Sequence, residues 1–342
     1  MAIQKIGIED FAELRTESLV FDVRSPGEYT HAHIPNAYSL PLFTDEERKV
    51  VGTAYKQESK EKAIKIGLDY FGPKMRAIVE EVEELTKNTN KKILVHCWRG
   101  GMRSGGVAWL LDLYGFEVYQ LSGGYKAYRN WVIGQFEKPY DFKIVSGNTG
   151  SGKTYLLHKL ENNGLQIVDL EGLAKHKGSA LGGINQPPQP SQEMFENLLA
   201  EQLAKKNIER PILLEDESQR IGNLNIPNII WQKMKESDLG YLQIPFDERL
   251  KFLVKEYGDL PQEELKNAVL RIQKRLGGLE TKNTLRHLED NDFSGCFGIL
   301  LRYYDKWYEK GLNAKEKGKI FKLEGKSVDE EENAKILMQI FR

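Results

Sequence analysis

The sequence predicts an α/β fold of two units: a parallel sheet covered by helices, then a second α/β unit that ends in a helical region. Three observations predict it. The chain has 342 residues, more than one hydrophobic core usually serves, and each half is long enough to fold by itself. Short apolar, β-branched runs alternate with helical stretches through the first third. The alternation then restarts with a strand that runs straight into a glycine turn and an amphipathic helix.

In the first unit, SLVFDVR (18 to 24), KKILVHC (91 to 97) and EVYQLSG (117 to 123) are apolar runs halted by polar or glycine residues, the pattern of buried parallel strands. Between the first two, residues 44 to 87 space Val, Ala, Ile and Leu helically, with a break at Gly72-Pro73, and predict helices over the sheet. GYKAYRNWVIGQFEKPYD (124 to 141) predicts a closing helix and a short linker, which sets the domains at 1–138 and 139–342. In the second unit DFKIVSG is a strand and NTGSGKTYLLHKLENNG a turn and helix, with further strands at LQIVDLEG (165 to 172) and RPILLEDES (210 to 218). KHKGSALGGINQPPQPSQ between them is a long Gly- and Pro-rich loop, of a length that usually has a task. Residues 247 to 315 read as several helices.

Composition excludes several classes. With 40% hydrophobic and 29% charged residues, long disordered tracts are not expected. No window approaches an apolar membrane span, and the N-terminal residues lack a basic segment followed by an apolar run. A cytoplasmic protein with no membrane partner is therefore expected. Two distant cysteines, Cys97 and Cys296, make neither a disulfide framework nor a cysteine-only zinc site. A net charge of -1 leaves nucleic-acid binding to local basic patches.

GNTGSGKT, Gly147 to Thr154, fits G-x-x-x-x-G-K-T between a strand and a helix, the context that gives the motif its meaning. Gly147, Gly150, Ser151 and Gly152 let backbone N–H groups turn inward on a phosphate chain, and the helix dipole favours the anion. Lys153 adds a point charge, and Thr154 is a candidate Mg²⁺ ligand. Glu215 and Asp216, after the run ILL, are candidates for holding a metal or orienting water, against the alternative of a solvated strand end. No tightly bound cofactor is expected.

VHCWRGGMRSG places Cys97 at a strand end, with C-x5-R spacing to Arg103 and Arg99 between. Backbone donors and arginines converging beyond the sulfur stabilise a thiolate and cradle an anionic group, making Cys97 a candidate nucleophile. The competing reading is a buried structural cysteine. Cys296, in SGCFGILL, reads as core.

DVRSPGEYTHAHIPNA (22 to 37) together with HCWRGGMRS resembles the rhodanese family over about the first 130 residues, with Asp22, Arg24, Glu28, His33 and Ile34 at signature positions and Ala32 where a glycine is usual. The cysteine loop is one residue longer than in many rhodaneses, and the longer form resembles phosphatases and arsenate reductases of that fold. A wider cradle suits a tetrahedral anion. A rhodanese-like unit followed by a P-loop NTPase-like unit, with DLEGLAKHKGSALGG and QPSQEMFE, resembles the tRNA 2-selenouridine synthase family across essentially the whole chain.

That resemblance implies a two-step replacement at the wobble uridine of tRNA. The sulfur of 2-thiouridine is geranylated from geranyl diphosphate, then selenium from selenophosphate, itself made by a selenophosphate synthetase, replaces the S-geranyl group. The diphosphate falls to Gly147 to Thr154; selenophosphate falls to the cysteine cradle, with Cys97 taking selenium as a selenenyl sulfide and Arg99 and Arg103 holding the phosphate. Leu181 and Ile184 are candidates for the prenyl groove, and His176 for substrate phosphate or tRNA. RIQKRLGGLETKNTLRH makes Arg271, Lys274, Arg275, Lys282 and Arg286 candidates for tRNA backbone contact. The aromatic residues of LRYYDKWYEKG are candidates for stacking on bases, against the alternative of core packing, which their helical spacing favours. Two rival readings remain: a rhodanese sulfurtransferase fused to an ATP-dependent kinase or NTPase, and a nucleotide-gated binding module without chemistry.

Overall fold

The structure, a computed structural model, describes residues 3–89, 91–313 and 317–341. It divides into two compact units, 1–135 and 136–342.

The first unit holds five parallel strands, β1 (Gln4–Ile6), β2 (Leu19–Asp22), β3 (Tyr38–Ser39), β4 (Lys92–His96) and β5 (Glu117–Leu121), in the order β1-β5-β4-β2-β3. The apolar runs fill the strand positions because a parallel sheet is covered on both faces. Ile93, Leu94 and Val95 are all fully buried. The helical spacing of residues 44 to 87 resolves into helices Asp45–Gln57, Lys60–Phe71 and Met75–Thr86, with a short 3₁₀ turn at Gly72–Lys74 where the proline interrupts the pattern.

Several signature residues serve the fold. Arg24 and Asp22 are 1% and 0% exposed and joined by hydrogen bonds of 2.6 to 3.0 Å, and Arg24 lies 3.8 Å over the Tyr125 ring. Burial pushes the Asp22 carboxyl up, but His96 and Arg24 outweigh it and hold it below its usual range. His33 stacks on Tyr29 at 4.0 Å, with Nδ1 2.9 Å from the Tyr29 carbonyl.

The second unit has a parallel sheet of β6 (Phe142–Gly147), β7 (Gln166–Ile167), β8 (Ile212–Glu215), β11 (Asp238–Gln243) and β12 (Ile320–Glu324), ordered β12-β11-β6-β8-β7. A small antiparallel pair, β9 (Arg220–Ile221) and β10 (Leu224–Asn225), follows β8. The strand expected over 165 to 172 is shorter: β7 spans two residues, because Asp169 caps a helix, Leu170–Ala174, through its carboxylate on the Gly172 N–H at 2.6 Å. The helical region comprises Phe246–Tyr257, Gln262–Leu276, Gly278–Glu289 and Phe293–Asn313, packed around Leu265, Val269, Phe297 and Leu301. Cys296 lies in this core, where burial pushes its thiol up to about 12.

In each unit the loop of interest follows the middle strand, β4 or β6, where neighbouring strands send their connections to opposite sides. Ligands of open parallel sheets bind at such carboxyl-end switch points.

Candidate active sites

Cys97 leaves β4 directly and is 3% exposed. Its Sγ accepts a hydrogen bond from the Ser104 hydroxyl at 3.2 Å, and Gln120 Nε2 donates to that hydroxyl at 2.8 Å. Burial pushes the thiol up, but the Ser104 hydroxyl, the N–H groups of Ser104 and Arg99, and the Arg103 charge outweigh it, so the net shift is downward. Ser104 stands in the first turn of helix Met102–Tyr114, where the dipole adds to the effect. The sequence reading missed Ser104 and Gln120, although the serine stood one residue past the C-x5-R motif.

The two arginines are placed differently. Arg103 Nη1 lies 2.7 Å from Glu28 Oε2, and Glu28 also accepts from the Ser25 N–H at 3.2 Å. Glu28 therefore orients Arg103, and an incoming anion shares that guanidinium with it. Burial pushes the Glu28 carboxyl up, but Arg103 outweighs it and keeps it low. Arg99 is exposed. Ser104→Ala is expected to move the Cys97 titration to higher pH, read by thiolate absorbance; Cys296, at about 12, stays silent over that range.

The phosphate loop is wound by Gly150 and Gly152, with φ of 81° and 71°, and opens helix Lys153–Asn162. Lys153 Nζ donates to the Gly147 carbonyl at 2.9 Å and lies 3.4 Å from the Tyr308 hydroxyl. Burial works against the Lys153 charge, but Tyr308, Glu171 and Glu217 more than offset it and hold the pKa up. The Ser151 hydroxyl is buried without a hydrogen-bond partner, a donor suited to a phosphate oxygen. Arg249 fastens the loop from behind: it donates to the Thr149 carbonyl at 3.1 Å and grips Asp305 with two bonds of 2.9 and 2.8 Å.

The expected carboxylate pair separates. Glu215 is fully buried and accepts from the Leu170 N–H at 3.1 Å, and burial with neighbouring Asp169 pushes its pKa well above the ordinary range. Asp216 faces the cavity beside the loop and accepts from the Ser146 hydroxyl at 2.5 Å. Glu217 and Glu171 join it there, and Thr154 Oγ1 donates to Glu171 Oε2 at 2.9 Å. Gly178, with φ of 67°, passes between these two carboxylates; a Cβ there would lie 2.5 Å from Glu217 Oε1 and 2.6 Å from Glu171 Oε1.

That cavity, about 1130 Å³, is the main correction to the sequence reading. Trp307 and Tyr308, expected in the core, line it together with Phe252 and Tyr257; Tyr303 and Tyr304 also reach it, while packing against the core of the helical region as expected. Leu181 lines it as well; Ile184 lines a smaller cavity with Glu264 and Arg271. His176 is half-buried, and its Nδ1 has no hydrogen-bond partner. Arg271, Lys274 and Arg275 lie on helix Gln262–Leu276 and Lys282 and Arg286 on Gly278–Glu289, all exposed. Only Arg275 of these five lines the large cavity, and Arg286 lies 3.7 Å from Asp290.

The chain matches the family model described as "tRNA 2-selenouridine synthase AAA domain" over residues 140–336. It matches the rhodanese-like domain model over 8–130. A tRNA 2-selenouridine synthase of Hydrogenovibrio crunogenus is 33% identical, over 90% of this chain and 93% of that protein. One from a Sulfurovum species is 35% identical, over 85% and 87%. Among solved structures, a yeast protein tyrosine phosphatase of the rhodanese family is 15% identical over 38% of this chain and 87% of its own, with a TM-score of 0.25. No helix among the described residues is long and apolar enough to cross a membrane. Matched over most of its length by relatives of one name and over its second unit by that family's own domain model, the chain belongs to the tRNA 2-selenouridine synthase family.

Proposed function

We propose that this chain converts wobble 2-thiouridine in tRNA to 2-selenouridine through an S-geranyl intermediate. Family membership supports the overall change and an enzyme of the transferase type. The observation that carries the two-step reading is the join between the phosphate loop and the aromatic cavity: an anion cradle opens directly onto apolar walls, the two halves of a prenyl diphosphate. Apolar and aromatic walls also suit a nucleotide base, so turnover of ATP is what separates the kinase reading; a module without chemistry needs no activated thiol.

In the first step the thiouridine sulfur bonds to C1 of the geranyl chain while the C1–O bond breaks. The diphosphate leaves with the electron pair, and the N3 proton passes to water. Charge grows on the departing oxygens, where Lys153, Ser151 and the loop N–H groups stand. The Thr154 hydroxyl and Glu171 are hard oxygen donors that fit Mg²⁺, which takes one or two carboxylates and completes its shell with substrate phosphates and water. When bound it supplies further charge neutralisation.

In the second step the Cys97 thiolate attacks the phosphorus of selenophosphate. An S–P bond forms and the P–Se bond breaks, so selenium leaves as hydroselenide with no change of oxidation state; water then hydrolyses the S–P bond. The wide C-x5-R loop suits this tetrahedral centre better than it suits a selenenyl sulfide, which would require selenium to be oxidised. Hydroselenide adds to C2 and geranyl thiolate leaves. The test is incubation with 2-thiouridine tRNA, geranyl diphosphate and selenophosphate, omitting one at a time, with nucleoside masses read out. A geranyl adduct without selenophosphate, and selenouridine only with all three, is expected; no adduct under any condition overturns the proposal.

A further inference from the structure

The aromatic helix Phe293–Asn313 presents two rows to the cavity. Tyr304 and Tyr308, one turn apart, form the inner row: the Tyr304 hydroxyl accepts from the Ala180 N–H at 3.1 Å, and the Tyr308 hydroxyl meets Lys153. Tyr303 and Trp307, again one turn apart, form the outer row, their ring centroids 6.4 Å apart and edge to face. Trp307 remains 52% exposed although it lines the cavity. Half-buried Tyr303 and exposed Trp307 thus offer adjoining aromatic faces on the cavity wall. Lys310 Nζ lies 5.3 Å from that ring, and Lys177, Lys235 and Arg275 stand among the lining residues.

Size adds an independent argument. Pockets for one small ligand run from about 300 to 1,000 Å³, whereas this cavity is about 1130 Å³. A prenyl diphosphate leaves room for a second reactant. Alkyl transfer needs the sulfur within roughly 3 to 3.5 Å of the carbon it attacks. A stacked anticodon base cannot present its 2-position inside a cavity, so the nucleotide must swing out. Extruded bases rest on aromatic faces, and the backbone beside them rests on cations.

We infer that Trp307, backed by Tyr303, is the platform on which the extruded wobble pyrimidine stacks while its C2 substituent meets the prenyl chain at the inner row. The inference rests on the two-substrate reading of this cavity. Its test uses the full chain and two anticodon stem-loop RNAs, one with 2-thiouridine at the wobble position and one abasic there, titrated for binding.

The wild-type protein is expected to prefer the base-bearing RNA by about 5- to 150-fold, the range of one base–aromatic stack. Trp307→Ala removes most of that preference without weakening the abasic RNA, and Trp307→Phe restores part of it. Unchanged affinity for inorganic pyrophosphate in both variants shows that the phosphate loop is intact. A wild-type protein without the preference, or Trp307→Ala that keeps it, overturns the platform. Absent geranyl transfer with the preference intact overturns the two-step reading instead and leaves the platform standing.

Discussion

Replacing Cys97 by serine is expected to stop selenium incorporation from selenophosphate by at least about a thousandfold, the scale on which enzymes lose a nucleophile, while geranylated tRNA accumulates. The thiol is poised by the Ser104 hydroxyl at 3.2 Å, itself held by Gln120. A serine in its place is a far weaker nucleophile, because its hydroxyl stays protonated. If the thiolate serves to release hydroselenide from phosphorus, added hydroselenide restores selenouridine in the variant. Should it fail to restore any, Cys97 acts on selenium itself and the proposed attack on phosphorus is wrong. Nucleoside mass spectrometry separates these outcomes, since the S-geranyl and selenium products differ in mass.

Lys153→Ala is expected to do the reverse. Geranyl transfer falls by about a hundred- to a thousandfold, the usual loss when one donor to a developing anion is removed. Selenium exchange on tRNA that already carries the S-geranyl group is expected to continue, because the proposed second step uses the cysteine loop. The large first effect has a local cause: the Lys153 ammonium is the counter-charge of the Glu171 and Glu217 pair, in which burial and Glu171 push the Glu217 carboxyl up, and removing the lysine leaves the pair's negative charge opposed to the incoming diphosphate. Equal loss of both steps would mean that the lysine maintains the unit's structure.

The elements that carry these loops were legible because they are the most regular. KKILVHC and DFKIVSG are central strands whose apolar cores, Ile93 to Val95 and Ile144 to Val145, are buried, so each shows a β-branched apolar run before the loop begins. The aromatic cavity was not legible. Tyr303, Tyr304, Trp307 and Tyr308 recur at helical spacing whether the face they make meets a core or an open space, and only the surrounding helices decide which. Glu215 and Asp216 show the same limit at a strand end, where successive side chains point to opposite faces. One turned inward to Leu170 and the other reached the cavity. DLGYLQ, which became β11, was passed over because it opens on a charge and carries a glycine. Gly240 is required there: a Cβ would stand 2.6 Å from a methyl of Leu337.

Gly100 and Gly124 set how the cysteine loop can change over evolution. Both have left-handed φ, 63° and 57°; a Cβ on Gly100 would lie 2.4 Å from the Leu121 carbonyl, and one on Gly124 2.2 Å from the Cys97 carbonyl. The loop is thus clamped, main chain against main chain, to the turn after β5, and Tyr125 and Lys126 donate their N–H groups to the Cys97 and Trp98 carbonyls at 2.8 and 3.0 Å. Side-chain substitutions around its rim leave its diameter unchanged. Resizing the ring therefore calls for inserting or deleting a residue, and a change of guest between a bare chalcogen atom and a tetrahedral oxyanion is expected to come as a discrete step in loop length.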